Sequence, residues 1–248
     1  MTNEDISKLK GLMDPKNAIL ERQRDTAPGT FKHSKNVASF CESVALELNI
    51  PSEELLVAAT YHDIGKIICP EVFSENQNDE NIHDKLEPII SYNFISRHVG
   101  DSIMLMLQIK DMPKKIMEIV SQHHGNTVMK FFFDKSGQSL DDLYRYKCLP
   151  PQSLEAAILM LCDSVEATAR SVFMAGGLKT KEDRTSVVDN TVQRLMKDDQ
   201  LDNIMVGELK VIRRVLMKEL DSTYHNRETY GDETKKVGDD DISIKDLE

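Results

Sequence analysis

The sequence predicts an all-α fold. In nearly every periodic stretch, apolar residues recur at the i, i+3, i+4 and i+7 spacing of one helical face. No stretch alternates apolar and polar residues in the way that a half-buried strand does. The 248 residues are 40% hydrophobic, which is enough for one large core. We therefore expect one helical domain with short flanks.

The N-terminal flank is predicted over residues 1–30. A weakly amphipathic segment covers residues 4–23 and is interrupted near Asp14-Pro15, because proline does not continue a helix. Residues 26–30 read as a loop, since proline and glycine are turn residues.

The central helices are predicted from their start and stop signals. Ser52 is the expected N-cap of one helix, and Gly65 is expected to end it. Pro88 and Pro113 open two further helices, and Ser153 or Gln152 starts another. An earlier helix has an apolar stripe that His33 extends by one turn. On their apolar faces or at their ends, this helix and the four others carry His33, His62-Asp63, His98, His123-His124 and Asp163. Because a buried ionisable group is costly unless something binds it, a metal centre is the simplest partner.

The remaining segments have weaker patterns. Residues 70–84 read as a loop, and the aromatic segment 130–150 is predicted to be irregular and to cover one side of a cleft. Two helices are expected near 181–197 and 206–222, packing behind the site. The acidic tail over 231–248 is predicted to be disordered, because it has few apolar residues and a run of aspartates.

The composition excludes several classes of partner. A formal net charge of -11 argues against a nucleic-acid polymer, which requires a dense basic surface. No apolar run approaches the ~20 residues that span a bilayer, and the acidic N-terminus does not resemble a secretory signal. The cysteines show no paired spacing, which favours a reduced, cytoplasmic chain without a membrane segment. The oligomeric state stays open, and a dimer is compatible with the sequence.

The histidines and aspartates predict a centre for two divalent ions. Five histidines and two aspartates exceed the needs of one tetrahedral ion. Imidazole and carboxylate donors without thiolate suit iron or manganese, with zinc or nickel as surrogates. Asp63 is expected to bridge the ions through its two oxygens. We assign His33, His62 and Asp163 to one ion, and His98, His123 and His124 to the other.

Two such ions favour phosphoester hydrolysis, because together they lower the pKa of a water and stabilise charge on phosphate. Lys66, one helical turn after His62, is expected to bind a phosphate oxygen or to cap the helix. His83, in a polar loop, is expected on the substrate side. Phe131–Phe133 fits either a lid or a platform for nucleobases, and His225 is expected to be structural.

In this ordered series of histidines and aspartates, the sequence resembles the HD-domain superfamily of metal-dependent phosphohydrolases. Within it, the chain is similar over about residues 31–230 to the cytoplasmic HD domain of the seven-transmembrane-receptor (PgpH-type) phosphodiesterases. The resemblance includes the metal motif and these segments: Phe73-Ser74-Glu75-Asn76-Gln77, Asn81-Ile82-His83-Asp84-Lys85-Leu86-Glu87-Pro88, Gln122-His123-His124-Gly125, Pro151-Gln152-Ser153-Leu154-Glu155-Ala156-Ala157, Asp163-Ser164-Val165-Glu166-Ala167 and Tyr224-His225-Asn226-Arg227.

The resemblance implies an HD fold with additional C-terminal helices and a di-iron or di-manganese centre. It also implies cleavage of cyclic di-AMP to linear pApA by a metal-bridging hydroxide. Every metal ligand of the family has its counterpart here, with His98 rather than His83 in the sixth position. Asp63 and Lys66 are the expected catalytic residues, and Asn76 and Gln77 join Lys66 and His83 as expected substrate contacts.

The chain also departs from the family pattern. Family members have a sensor and membrane helices before this domain, so we expect a free-standing relative or an excised domain, and Met1 favours the former. The sequence Gly125-Asn126-Thr127 replaces the Gly-Tyr-Pro signature of cyclic di-GMP enzymes, which argues against that substrate. The alternatives are an HD phosphohydrolase acting on dNTP or (p)ppGpp, and a non-catalytic nucleotide-binding domain.

Overall fold

The structure, a computed structural model, describes residues 2–77 and 81–237, with side chains to position 224. Within these ranges the chain is helical apart from turns and one isolated backbone bridge between Val128 and Arg145, which confirms the all-α prediction. The α-helices are α1 (Asn3–Leu12), α2 (Ala18–Thr26), α3 (Pro28–Leu48), α4 (Glu53–Tyr61), α5 (Pro88–Ser96), α6 (His98–Met106), α7 (Lys114–Ser121), α8 (Lys130–Ser136), α9 (Leu154–Met174), α10 (Lys181–Lys197) and α11 (Val206–Val237). Short 3-10 helices span Ile64–Ile68, Pro70–Val72, Ser74–Asn76, Ile82–Asp84 and Asp142–Tyr144.

Helices α3, α4 and α9 form the centre of the molecule, and α7, α10 and α11 pack around them. The inward faces of these helices form one hydrophobic cluster, in which Val37, Leu55 and Leu159 are fully buried. Burying a side chain of this size contributes about 1.5–3 kcal/mol. The cluster thereby fixes the orientation in which α3, α4 and α9 present their polar residues.

The N-terminal flank packs into this same core. Leu9 and Leu20 are buried in the main cluster, and the break between α1 and α2 falls where the sequence predicts it. At the end of α4, the Tyr61 hydroxyl donates to the Leu12 carbonyl at 2.7 Å and accepts from Asn17 Nδ2 at 3.2 Å. These two hydrogen bonds fasten the flank to α4.

One predicted loop is wrong, whereas the helix starts predicted at Ser52, Pro88 and Ser153 are confirmed in position. The segment 26–30 is helical from Pro28 onward, because proline fits the first position of a helix without a backbone N–H. Ser52 precedes α4, but its side chain makes no capping hydrogen bond. Pro88 does open α5, and the Ser153 hydroxyl accepts from the Ala156 N–H at 3.1 Å as the N-cap of α9.

Gly65 has a different role from the predicted helix end. It lies in the 3-10 helix after α4, where an added Cβ would lie 2.3 Å from the His98 carbonyl oxygen and 2.5 Å from Ser102 N. The Gly65 N–H donates to Ser102 Oγ at 2.9 Å, and that hydroxyl donates to the His62 carbonyl at 2.8 Å. Glycine therefore allows the segments that carry His62 and His98 to touch.

Two segments predicted to be irregular contain short helices. Residues 70–84 include three short 3-10 helices, and α8 lies within 130–150. Phe132 of α8 packs with Tyr92 and Tyr144 in a second, smaller hydrophobic cluster. This cluster supports the aromatic segment beside the centre of the molecule.

The C-terminal helices agree with the sequence prediction in number and place. Helix α10 has the predicted bounds, whereas α11 continues to Val237, so the first part of the predicted disordered tail is helical. Residues 238–248 of that tail lie outside the described residues. Across the described ranges, no helix has the length and apolar character needed to cross a membrane.

Candidate metal centre

The structure places all seven predicted metal ligands together, in two groups. In each group the potential ligand atoms lie within 4.8 Å of one another. The first group is His33, His62 and Asp163, and the second is Asp63, His98, His123 and His124. Asp63, which the sequence predicts as the bridge between the two ions, falls in the second group.

Asp63 faces both groups with different oxygen atoms. Its Oδ2 lies 3.3 Å from His62 Nε2 and 3.6 Å from His33 Nε2. Its Oδ1 lies 3.2 Å from His98 Nε2 and 3.9 Å from His123 Nε2. A carboxylate in this position can offer one oxygen to each of two ions.

Asp163 also lies between the groups. Its Oδ1 lies 3.0 Å from His33 Nε2 and 3.8 Å from His62 Nε2, whereas its Oδ2 lies 3.7 Å from His124 Nδ1. The sequence assigned Asp163 to the first group alone. The structure adds a contact with the second.

Three of the histidines are oriented by the ends of helices. The Nδ1 atoms of His62, His98 and His123 lie 2.8, 2.6 and 2.6 Å from the carbonyl oxygen three residues earlier. These carbonyls belong to the last turns of α4, α5 and α7, where a carbonyl lacks the regular helical partner four residues later and can accept from a side chain. With Nδ1–H donated to the backbone, each Nε2 lone pair points into the centre.

Buried atoms without partners show that the centre fits metal ions. Among the described residues, His62 Nε2 and Asp63 Oδ1 are buried and have no hydrogen-bond partner. An unsatisfied buried polar atom costs about 1–3 kcal/mol. A divalent cation would bind both atoms, and the imidazole and carboxylate donors suit such a cation.

The second group presents neutral imidazoles beside ionised carboxylates. Burial lowers the pKa of His98, brings that of His123 to about 3 and holds that of His124 well below its usual value. Burial raises the pKa of Asp63, but the charges of Lys66 and His62 outweigh it and hold the pKa well below its usual value. These are the protonation states that metal ligands need.

The first group carries positive charge of its own. Burial lowers the pKa of His33, but the hydrogen bonds that the ring donates to Asp163 and Glu166 outweigh burial and raise the pKa to about 9. For His62, the charge of Asp63 likewise outweighs burial and raises the pKa to about 10. The carboxylates thus attract a cation to this position, whether it is a proton or a metal ion.

Lys66 lies between two carboxylates at the edge of the centre. Its ammonium is 2.7 Å from Asp63 Oδ2 and 2.8 Å from Glu75 Oε1, and its side chain is 12% exposed. Glu75 also accepts from the Thr30 hydroxyl at 3.1 Å, which ties the loop to the start of α3. Lys66 thus orients Asp63, a role additional to the predicted phosphate contact.

The centre lies at the base of a cavity of about 620 Å³, a size typical of ligand pockets. Of the ligands, His124 is the most accessible, with 22% of its side chain exposed. Lys66 and His83, two of the four predicted substrate contacts, line the cavity. Further lining comes from Phe73, Glu75, Phe131, Phe132, Tyr146, Arg170 and Arg194.

Asn76 and Gln77, the other two predicted substrate contacts, do not line this cavity. The Asn76 carboxamide accepts from the Thr30 N–H at 3.1 Å and donates to the Thr30 hydroxyl at 2.9 Å. Gln77 donates to the Glu71 carbonyl at 2.9 Å. Because these amides already bond the protein, they brace the loop, and we correct their assignment accordingly.

Three residues of the site were missed by the sequence analysis. Glu75 and Glu166 hydrogen-bond Lys66 and His33, and the Tyr146 ring stacks on His124 with centroids 4.3 Å apart. The only local signal was the position of Glu166, three residues after Asp163 on one helix. The side chain of His225 lies outside the described residues.

The fold and the site together define a helical protein with a His/Asp cluster able to bind metal under a cavity. The chain belongs to the HD domain family, whose model matches residues 30–168. It is 35% identical over 234 residues to the cyclic-di-AMP phosphodiesterase PgpH of Listeria monocytogenes, a match covering 92% of this chain and 32% of that protein. It is 34% identical over 237 residues to PgpH of Bacillus subtilis, covering 93% of this chain and 33% of that protein.

A solved structure shows the same fold. The L. monocytogenes PgpH HD domain in complex with cyclic-di-AMP matches with a TM-score of 0.77 and 35% sequence identity, over 84% of this chain and 97% of that chain. This confirms an HD fold. The chain spans about a third of the length of the curated relatives that it matches.

Proposed function

We propose that this chain hydrolyses cyclic di-AMP to linear pApA with two divalent metal ions. The observation that carries the proposal is the pair of ligand groups joined by Asp63 at the base of an open cavity. The similarity to an HD domain solved with cyclic-di-AMP supports the choice of substrate.

The chain supplies the ligands, and the ions supply the chemistry. When bound, two divalent ions place positive charge beside the phosphate and lower the pKa of a water molecule. We propose iron or manganese, since the donors are imidazoles and carboxylates without thiolate. His33, His62 and Asp163 would hold the first ion, His98, His123 and His124 would hold the second, and Asp63 would contribute to both.

Lys66 remains a proposed contact for a phosphate oxygen. An ammonium group has three N–H donors, and Asp63 and Glu75 take two of them. The third is left for a ligand in the cavity. The carboxylates also raise the pKa of Lys66, against the effect of burial, so the charge is retained at every pH of interest.

His83 is a proposed contact for an adenine base. Its Nε2 lies 2.6 Å from the Val72 carbonyl and must donate to it, which leaves Nδ1 as an acceptor. That Nδ1 is buried without a partner, and the residue lines the cavity. The exocyclic amino group of adenine is a suitable donor, whereas guanine has an acceptor oxygen at the same position.

The aromatic residues fit different roles. Phe131 is 59% exposed and lines the cavity, so it is the proposed stacking surface for a base. Phe132 is buried against His83, with ring centroids 5.2 Å apart, and Phe133 packs on Tyr144. The Phe131–Phe133 segment therefore joins a stacking residue to two supporting ones.

His83→Ala is expected to raise KM for cyclic di-AMP about tenfold and to change kcat little, because one hydrogen bond to the base is lost. Steady-state kinetics of product formation would measure this. Ile82→Ala, an exposed neighbour, is the matched control and should behave like the wild type. Equal KM values for the wild type and His83→Ala would contradict the role of His83.

The direct test of the proposed function is an assay on the metal-loaded protein. The purified chain, with bound metal quantified, would be incubated in Mn²⁺ with cyclic di-AMP, cyclic di-GMP, a dNTP mixture or (p)ppGpp. We expect linear pApA from cyclic di-AMP and much slower opening of cyclic di-GMP. Release of pyrophosphate or triphosphate would instead indicate a nucleotide hydrolase. Full metal loading with no turnover of any substrate would indicate a domain that only binds.

A further inference from the structure

His33 differs from the other buried histidines in the partner of its Nδ1. His33 lies inside α3, where helical hydrogen bonds already use the carbonyls of the preceding turn. Its Nδ1 lies 2.5 Å from Glu166 Oε2, a carboxylate of α9. At His62, His98 and His123 the corresponding partner is a backbone carbonyl in the last turn of a helix.

We infer that Glu166 is the positioning residue of the first ion, acting through His33. A carboxylate that accepts the Nδ1–H fixes the tautomer of the ring and directs the Nε2 lone pair toward the ion. Such a partner also makes the imidazole a stronger donor. The inference rests on the proposed metal centre, and it assigns a function to a residue that binds no ion itself.

Glu166 is itself held in place on several sides. It is 1% exposed, its Oε1 accepts from Asn36 Nδ2 at 2.8 Å, and Arg170 Nε lies 3.5 Å from its Oε2. Asn36 lies on α3, one turn after His33. The carboxylate is therefore fixed relative to the same helix that carries the histidine.

The spacing of Asp163 and Glu166 on α9 allows both residues to contact the His33 ring. Asp163 and Glu166 are three residues apart, so they project from the same face of the helix. Asp163 Oδ1 lies 3.0 Å from the Nε2 of His33, whereas Glu166 contacts the Nδ1 on the other edge of the ring. One helix thus supplies a metal ligand and also orients a second ligand from α3.

Glu166→Gln keeps the shape of the side chain and removes its charge. We expect this variant to bind one of two Mn²⁺ ions about 10–100-fold more weakly, because loss of such a partner has effects of that size on metal affinity. The other ion should bind as in the wild type. Competition with a chelator, combined with native mass spectrometry, would give both affinities. A general loss of stability would weaken both ions together and would contradict the inference.

The matched control is Glu155→Gln on the same helix. Glu155 pairs with Lys115 at 3.0 Å near the surface, so its loss should leave both Mn²⁺ affinities unchanged. Asn36→Ala provides a second variant if Glu166→Gln does not fold. It frees Glu166 Oε1 and should weaken the same ion, by a smaller factor. Unaltered Mn²⁺ affinities in whichever of these variants fold would overturn the inference.

A double-mutant cycle tests whether Glu166 acts through His33. In a His33→Ala background, Glu166→Gln should have no further effect on Mn²⁺ binding. A loss of Mn²⁺ affinity as large as the one that Glu166→Gln causes in the wild-type background would show that Glu166 acts independently of His33, and it would overturn the inference. Failure of the proposed function would give a different result: the wild-type protein would bind two Mn²⁺ ions without opening cyclic di-AMP. The comparison of Mn²⁺ affinities between the wild type and Glu166→Gln would then still test the role of Glu166.

Discussion

Asp63→Ala is expected to abolish hydrolysis of cyclic di-AMP and to reduce metal binding in both groups. The two oxygens of Asp63 approach His62 and His98 separately, so its loss would remove a ligand from each ion. We expect turnover to fall at least about 1,000-fold, which corresponds to ~4 kcal/mol of transition-state stabilisation. Steady-state rates and metal analysis of the purified variant would measure the two effects.

Asp63→Asn removes the negative charge of Asp63 and keeps the size of its side chain. The amide has the size of the carboxylate but offers one oxygen instead of two, so it should retain at most one ion. Asp189→Asn is the control, because Asp189 pairs with Arg213 at the surface, where such pairs contribute about 0–1 kcal/mol. Retention of two ions and wild-type turnover in Asp63→Ala would rule out the bridging role.

Gly65→Ala is expected to destabilise the protein by about 3 kcal/mol, because the added methyl group would overlap backbone atoms rather than flexible side chains. It would lie 2.3 Å from the His98 carbonyl, so the 3-10 helix after Asp63 must move away from α6. In a chain of this size the loss corresponds to a fall in Tm of about 6–12 °C. Thermal unfolding with and without Mn²⁺ would measure the change, and metal affinity should fall with it.

Gly100→Ala is the matched control for Gly65→Ala. Gly100 lies within α6, and an added Cβ there would meet nothing within 4 Å. Alanine favours the helix over glycine, so this variant should be more stable by about 0.5–1 kcal/mol. Equal Tm values for Gly65→Ala and the wild type would show that the close approach at Gly65 is dispensable.

Local periodicity was sufficient to predict most of the α-helices and to place the candidate metal ligands on their inward faces or at their ends. His33 extends the apolar stripe of α3 that includes Val37 and Val44, and the structure buries all three. His62, His98 and His123 each lie at the end of a predicted helix. Proline, glycine or the end of an apolar pattern marks these ends in the sequence. Side chains on such faces have to point inward, so their convergence can be inferred before any tertiary contact is known.

The partners of these ligands could not be predicted, because they depend on long-range contacts. His33 and Glu166 are separated by 133 positions, and the position of Glu166 one turn after Asp163 does not identify His33 as its partner. Glu75 lies in a segment without periodicity, and its contact with Lys66 depends on how that loop folds back onto α3.

The dependence on long-range contacts also explains why the roles of Asn76, Gln77 and Gly65 were predicted differently. Asn76 and Gln77 are polar loop residues beside the site, and sequence alone does not distinguish a side chain facing substrate from one bracing its own loop. Gly65 was interpreted as a helix end, whereas its function is to permit contact between two backbone segments. In each case the deciding contact comes from a different part of the chain.

A crystal structure of the Mn²⁺-loaded protein, with anomalous scattering to locate manganese, tests the central claim most directly. We expect two manganese peaks about 3.5–4 Å apart, with one oxygen of Asp63 bound to each. His33, His62 and Asp163 should surround one ion, and His98, His123 and His124 the other. A single peak in fully loaded crystals, or two peaks that do not share Asp63, would contradict the two-metal centre.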